Sequence, residues 1–141
     1  MWLFITVFGL LVLLAPRSVL AVEDPLSRPN NNMGIHILFP DEIEQAAKLV
    51  NSNGGQWGYV TIPIQAGDKD LEKWQKFMDM CKKLKIIPLV RLASEPKPLQ
   101  TNVWRKPTDY DIVDFANFLS SLSWPTKNKY VILYNEVNRS D

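Results

Sequence analysis

This chain has one histidine and one cysteine in 141 residues. With Cys81 as its only thiol, no internal disulfide can form. His36 and Cys81 are also too few to build a Cys/His metal set, and no Ser-His or Cys-His nucleophilic pair stands out. Glycine is scarce as well, with six residues, and none follows the first apolar run of the domain. Phe39-Pro40-Asp41-Glu42 stands where a phosphate-cradling turn would lie. Two carboxylates at that point would repel a pyrophosphate, which disfavours dinucleotide binding. Net charge is nearly absent: 16 Lys and Arg face 15 Asp and Glu. Arg17 is the only charge in the first 21 residues, so the remainder balances at 15 of each sign. Such a chain has no electrostatic pull toward nucleic acid or an anionic membrane. No motif calls for a cofactor or a metal.

One long hydrophobic run is present, at the amino terminus. Trp2 to Leu14 is apolar apart from Thr6 and Gly9, too short to span a bilayer comfortably. Val19-Leu20-Ala21 then offers small residues at the −3 and −1 positions of a secretory cleavage site. Residues 1–21 are therefore expected to be a cleaved signal peptide, in preference to an uncleaved anchor or a buried helix. That places the protein outside the cytoplasm: secreted, periplasmic or at the cell surface, with no membrane attachment after cleavage. Residues 22–32 lack periodicity and read as a linker, and 33–141 as the domain.

Within the domain, apolar strands alternate with amphipathic helices. The expected strands are Met33–Leu38, Trp57–Ile64, Ile86–Leu92 and Tyr130–Tyr134. The first helix starts at a capping-box-like Asp41/Glu44 and buries Ile43, Ala46, Ala47 and Val50. Asn53-Gly54-Gly55 stops it. The second runs from about Asp70 to Lys83, with Leu71, Trp74, Met78 and Cys81 inward and Lys73, Lys76, Lys82 and Lys83 in solvent. Ser94–Lys106 reads as a proline-bearing loop. Thr108 and Asp111 cap a third helix with the stripe Ile112, Phe115, Phe118/Leu119 and Leu122. Cys81, Trp57, Trp74 and Trp124 are packing residues on this pattern.

Three strand–helix units of roughly 30 residues and a fourth strand indicate an α/β fold with a parallel sheet. Without a glycine-rich turn, the better architecture is the N-terminal half of a (β/α)8 TIM barrel, since a whole one needs about 250 residues. Polar groups then gather at strand ends: His36, Gln65, Arg91, and Asn135 with Glu136. A carboxylate at the carboxyl end of a buried strand sits where α/β proteins place their chemistry.

Tyr134-Asn135-Glu136 at the end of the fourth strand resembles the Asn-Glu motif of the clan A glycoside hydrolases, retaining (β/α)8 enzymes. The resemblance implies that Glu136 is the general acid/base and that Asn135 hydrogen-bonds a sugar 2-hydroxyl. The family usually continues with proline; here Val137 and Asn138 follow. Its second carboxylate lies after strand seven, which this chain does not reach. The resemblance thus implies the front half of a longer secreted glycosidase, with a carbohydrate substrate and the nucleophile elsewhere. Chemically, one carboxyl group must protonate the leaving oxygen and a second attack the sugar, about 5–5.5 Å apart in retaining enzymes. The other reading of Glu136 is a strand-end cap paired with Arg91 or Arg139. Three further residues are expected at the substrate: His36 by hydrogen bonding, Arg91 by orienting the catalytic carboxylate as the resemblance implies, and Trp104 by stacking on a sugar; the other readings are a core histidine for His36 and a surface salt bridge for Arg91. A non-catalytic carbohydrate- or protein-binding module at the cell surface and an open-sheet binding domain are the competing classes. The nearest second carboxylate within reach of the first three strand ends is Glu95.

Overall fold

The computed structural model describes residues 32–97 and 100–134. The expected leader, most of the linker, and the Asn135-Glu136 pair lie outside the described residues. The elements are β1 (Gly34–His36), α1 (Ile43–Val50), β2 (Gly58–Gln65), α2 (Leu71–Leu84), β3 (Ile86–Ala93), β4 (Pro96–Lys97), β5 (Gln100–Trp104), α3 (Asp109–Ser121) and β6 (Tyr130–Ile132). The fold is mixed α/β, as the alternation predicts.

Strands β1, β2, β3 and β6 form one parallel sheet in that order. Space follows sequence without a reversal, so connections of one hand deliver every helix to the same side. The core bears this out. Val60, Ile62 and Ile64 on β2, with Val90 and Leu92 on β3, join a single cluster with Ala46 and Val50 of α1, Trp74 and Met78 of α2, and Phe115 and Leu119 of α3. The intervening residues Thr61, Pro63, Leu89 and Arg91 lie on the opposite face and are only half-buried. Trp57 and Ile87, at the amino ends of β2 and β3, are buried outside that cluster.

Pro63 falls inside β2, opposite Arg91 of β3. The ladder explains why it is tolerated. Tyr59 N–H donates to Met33 and Thr61 C=O accepts from Ile37, so alternate residues of β2 turn toward β1, whereas Ala66 N–H turns to Ala93. Residue 63 turns toward β1 just beyond its last residue, so the missing N–H falls past the β1 ladder and not within it.

Several local expectations need correction. The first helix is not started by Asp41 and Glu44. A single 3-10 turn, Pro40–Glu42, leads into it, and the Glu42 carboxylate accepts from the N–H groups of Leu38 and Phe39 at 2.8 and 2.9 Å. Those two bonds hold the Glu42 carboxyl below its ordinary value. Leu71 and Ile112 are exposed, so Phe77 on α2 and Asp111 on α3 take the buried places. The segment after β3 is no plain loop: β4 and β5 form an antiparallel hairpin. Cys81 is fully buried, and burial pushes its thiol far above the usual range, in keeping with a packing role. Trp57, Trp74 and Trp124 are buried as expected. Among the described residues no helix is long and apolar enough to cross a membrane.

Candidate functional site at the carboxyl ends of the strands

The loops leaving β2 and β3 meet the hairpin and the start of α3 in one polar cluster. Its centre is Arg105. The guanidinium grips Asp111 in a fork, Nη1 to Oδ2 at 2.7 Å and Nη2 to Oδ1 at 2.6 Å. Asp111 Oδ2 also accepts from the Thr108 N–H and hydroxyl, both at 2.7 Å, so the helix cap and the ion pair share one carboxylate. Asp111 is 4% exposed, an aspartate buried because it is fully partnered. The Arg105 bonds, joined by those from Thr108, hold the Asp111 carboxyl well below the carboxylate range. Asp111 in turn raises Arg105 above the already high guanidinium value. Asp111 is therefore a fixed anion at any ordinary pH, fit to anchor and unable to donate a proton.

Glu95, two residues past β3, is the second acid on Arg105. Its Oε2 lies 3.4 Å from both Nε and Nη2, while its backbone C=O accepts from Arg105 N–H at 2.8 Å. That backbone bond and the side-chain fork together close the excursion from Glu95 through the hairpin to Arg105. Gly67, in the loop after β2, lets the Glu95 carboxylate lie against the backbone there; a Cβ at 67 would overlap Glu95 Oε1. Lys69 adds a second tie. Its ammonium pairs with Asp114 of α3 at 2.6 Å, donates to Ala66 C=O, and sits 4.5 Å from the centre of the Phe115 ring.

Tyr134, two residues past β6, joins this end from the fourth strand. Alternation would send it to the half-buried face with Tyr130 and Ile132. Its backbone is left-handed instead, φ +47°, and the ring packs edge-on against Phe115 with centroids 6.4 Å apart. Its hydroxyl is buried without a hydrogen-bond partner among the described residues, and burial, helped by the Asp111 charge, raises its pKa. The fourth strand therefore stops at Ile132, two residues before the expected Tyr134.

The expected site residues are only partly gathered. His36 and Arg91 share the face away from the helices, with β2 between them. Two strand spacings put their backbones on the order of 10 Å apart. His36 is exposed at the edge strand. Arg91 lies between Pro63 and Ile132, and its Nε is buried with no hydrogen-bond partner among the described residues. Trp104 is in the separate hairpin, half exposed, paired through its backbone with Pro96. Asn135 and Glu136 lie outside the described residues. Arg105, Asp111, Gly67 and Lys69 were not anticipated as a cluster. The Thr108/Asp111 cap and the carboxylate of Glu95 were its legible traces. Among the described residues, no group of three or more His, Cys, Asp or Glu could hold a metal ion. A shallow groove lined by Leu71, Gln75 and Asp79 runs along α2 and contains none of the expected residues.

Comparison with protein-family models, with curated proteins and with solved structures finds no match for this chain.

Proposed function

We propose that the chain forms the first four strands of a (β/α)8 barrel that hydrolyses O-glycosidic bonds with retention, outside the cytoplasm. The observation that carries this reading is the sheet. Four parallel strands in chain order, with all three helices packed on one side, are the arrangement in which a barrel gathers groups from several strand ends at one mouth.

In this reading Glu136 protonates the leaving oxygen and then takes a proton from the incoming water, while the nucleophile comes from the other half of the barrel. Asn135 donates to the 2-hydroxyl, and that bond strengthens as the ring flattens toward the transition state. Arg91 supports the carboxylates of the mouth: a buried guanidinium Nε without a partner among the described residues is a donor available to an acceptor. His36 offers a hydrogen bond at the rim. Trp104 supplies a flat apolar surface for a sugar ring, on a hairpin held by the Arg105 fork.

The test is turnover of natural oligosaccharides and of aryl glycosides by the chain extended through the other half of the barrel, with Glu136→Gln beside that parent. Loss of the proton donor should lower the rate on natural substrates by about 10²–10⁴-fold, and by less on aryl glycosides whose leaving groups need no proton. Unchanged rates on both would remove Glu136 from the acid/base role. Saturable sugar binding with no turnover by the parent would leave a non-catalytic carbohydrate-binding module in place of the enzyme.

A further inference from the structure

The β4–β5 hairpin stands apart from the parallel sheet. Its strands pack chiefly on each other, and Pro96, Lys97, Val103 and Trp104 are exposed. A two-stranded hairpin is marginal by itself, so where this one points is decided at its base. The base is the pair Pro96 and Trp104, flanked by Glu95 and Arg105. Arg105 is held twice there: its N–H donates to Glu95 C=O at 2.8 Å, and its guanidinium forks onto Asp111.

The Glu95 side chain contributes differently. Its Oε2 lies 3.4 Å from Nε and Nη2 of Arg105, and the side chain is 43% exposed. A pair that long and that open adds little stability. The other oxygen has a definite seat: Oε1 occupies the space that a side chain at position 67 would take. Among the described glycines only Gly54 has a positive φ, so no turn conformation calls for glycine at 67. The close approach of Glu95 does.

The loop on which Glu95 leans is itself fixed. Ala66 N–H donates to Ala93 C=O and Asp68 N–H to Gln65 C=O, both at 2.9 Å. Asp68 C=O accepts from Nε1 of Trp74, a fully buried ring of α2, at 2.9 Å. Contacts and chain bonds thus run without a gap from the core at Trp74, through Asp68 and Gly67, to Glu95, Arg105 and Trp104.

We propose that Gly67 and Glu95 are positioning residues that act through Arg105: by them the loop after β2 sets where the hairpin, and with it Trp104, stands at the mouth. For its effect on substrate this rests on the reading of Trp104 as a sugar platform. A methyl at 67 meets the far end of a flexible side chain, which can swing aside. Gly67→Ala should therefore spare folding while it unseats Glu95, which separates positioning from support.

The test uses the chain extended through the other half of the barrel, labelled with fluorotryptophan. The Trp104 fluorine resonance, assigned by its loss in Trp104→Phe, should shift in Gly67→Ala and in Glu95→Ala, with the melting temperature of Gly67→Ala near the parent's. In the double variant Gly67→Ala should add nothing to Glu95→Ala, because its effect passes through that carboxylate. An unmoved resonance, or additive shifts, overturns the proposal; should one variant fail to fold, the resonance of the other decides. On oligosaccharides both variants should raise KM toward the Trp104→Ala value, by up to about tenfold, with kcat near the parent's. A KM raised by Trp104→Ala and left alone by both others overturns the proposal as well. If Trp104→Ala itself leaves KM unchanged while the resonances move, the sugar platform falls and the positioning of the hairpin stands.

Discussion

The two ends of the sheet are built differently. At the amino ends of the strands the ties are close packing and amide hydrogen bonds, with one ammonium bond from Lys85 Nζ to Gln56 Oε1 at 2.8 Å. Gly58 opens β2 so near α1 that a Cβ would stand 2.6 Å from Val50 Cγ2. Asn51, just past α1, accepts from Gly58 N–H at 3.1 Å and donates to Leu84 C=O at 3.3 Å, tying three elements with one amide. Lys85 turns left-handed, φ 55°, to end α2 before β3 starts. At the carboxyl ends the ties are ionic: Arg105 with Asp111 and Glu95, Lys69 with Asp114, Lys73 with Asp68. Barrel proteins divide labour in this way, with stability at one end and adaptable chemistry at the other. Charged groups on loops can be re-aimed by substitution; a backbone wedged against a helix cannot.

That contrast can be broken by mutation. Asp111→Ala should have the largest effect. It removes the α3 cap and strands the Arg105 charge. Breaking a buried pair costs about 3–5 kcal/mol, and Arg105 is 29% exposed, so about 3 kcal/mol is expected in urea unfolding. Gly58→Ala attacks the amino end. It drives a methyl into Val50 and should cost about 1–3 kcal/mol, with no dependence on pH.

Lowering the pH should separate the two ends. The folded-state pKa of Asp111 is depressed, so its ionisation contributes stability fully above the ordinary carboxylate value of about 3.9 and loses it as pH falls through the lower folded value. Asp111→Asn has none of this to lose. The difference in melting temperature between parent and Asn variant should therefore shrink from neutral pH to below about pH 4, whereas the gap for Gly58→Ala stays constant. A constant Asp111→Asn gap would remove the ionic account of the carboxyl end. The smallest effect belongs to Tyr134→Phe. Its hydroxyl is buried without a partner among the described residues, so deletion should leave stability unchanged or raise it by up to about 1 kcal/mol. A marked loss in thermal denaturation would reveal a hydrogen bond essential to that end.

The strand–helix order was legible because apolar periods of two and about 3.6 residues survive without tertiary information. Val60, Ile62 and Ile64 alternate, and Trp74, Met78 and Cys81 stack on one side of α2. The hairpin was not legible. Pro96-Lys97 is too short to show a period, and prolines are an ordinary mark of loops. Missing the hairpin hid the Arg105–Asp111 fork, because nothing local says that residue 105 returns to the start of α3. The stripe of α3 consequently went to Ile112, although an arginine-paired aspartate takes the inward place beside it. Tyr134 was misplaced for another reason: one left-handed residue reverses the alternation, and a tyrosine gives no warning of that. Of the expected site, His36 and Arg91 share a face as their strands require. The roles of Asn135 and Glu136 rest on the motif alone.

Pro63 has a further consequence. Beyond the β1 ladder, β2 turns residue 63 toward the β1 side with no N–H to offer. A wandering strand that displaced the short β1, or extended it, would find its ladder interrupted within two residues. Pairing on that side is thereby held to the segment from Met33 to Ile37 and its register is set. Proline acts here as a stop against misregistered growth, placed where β2 runs past the last residue of β1.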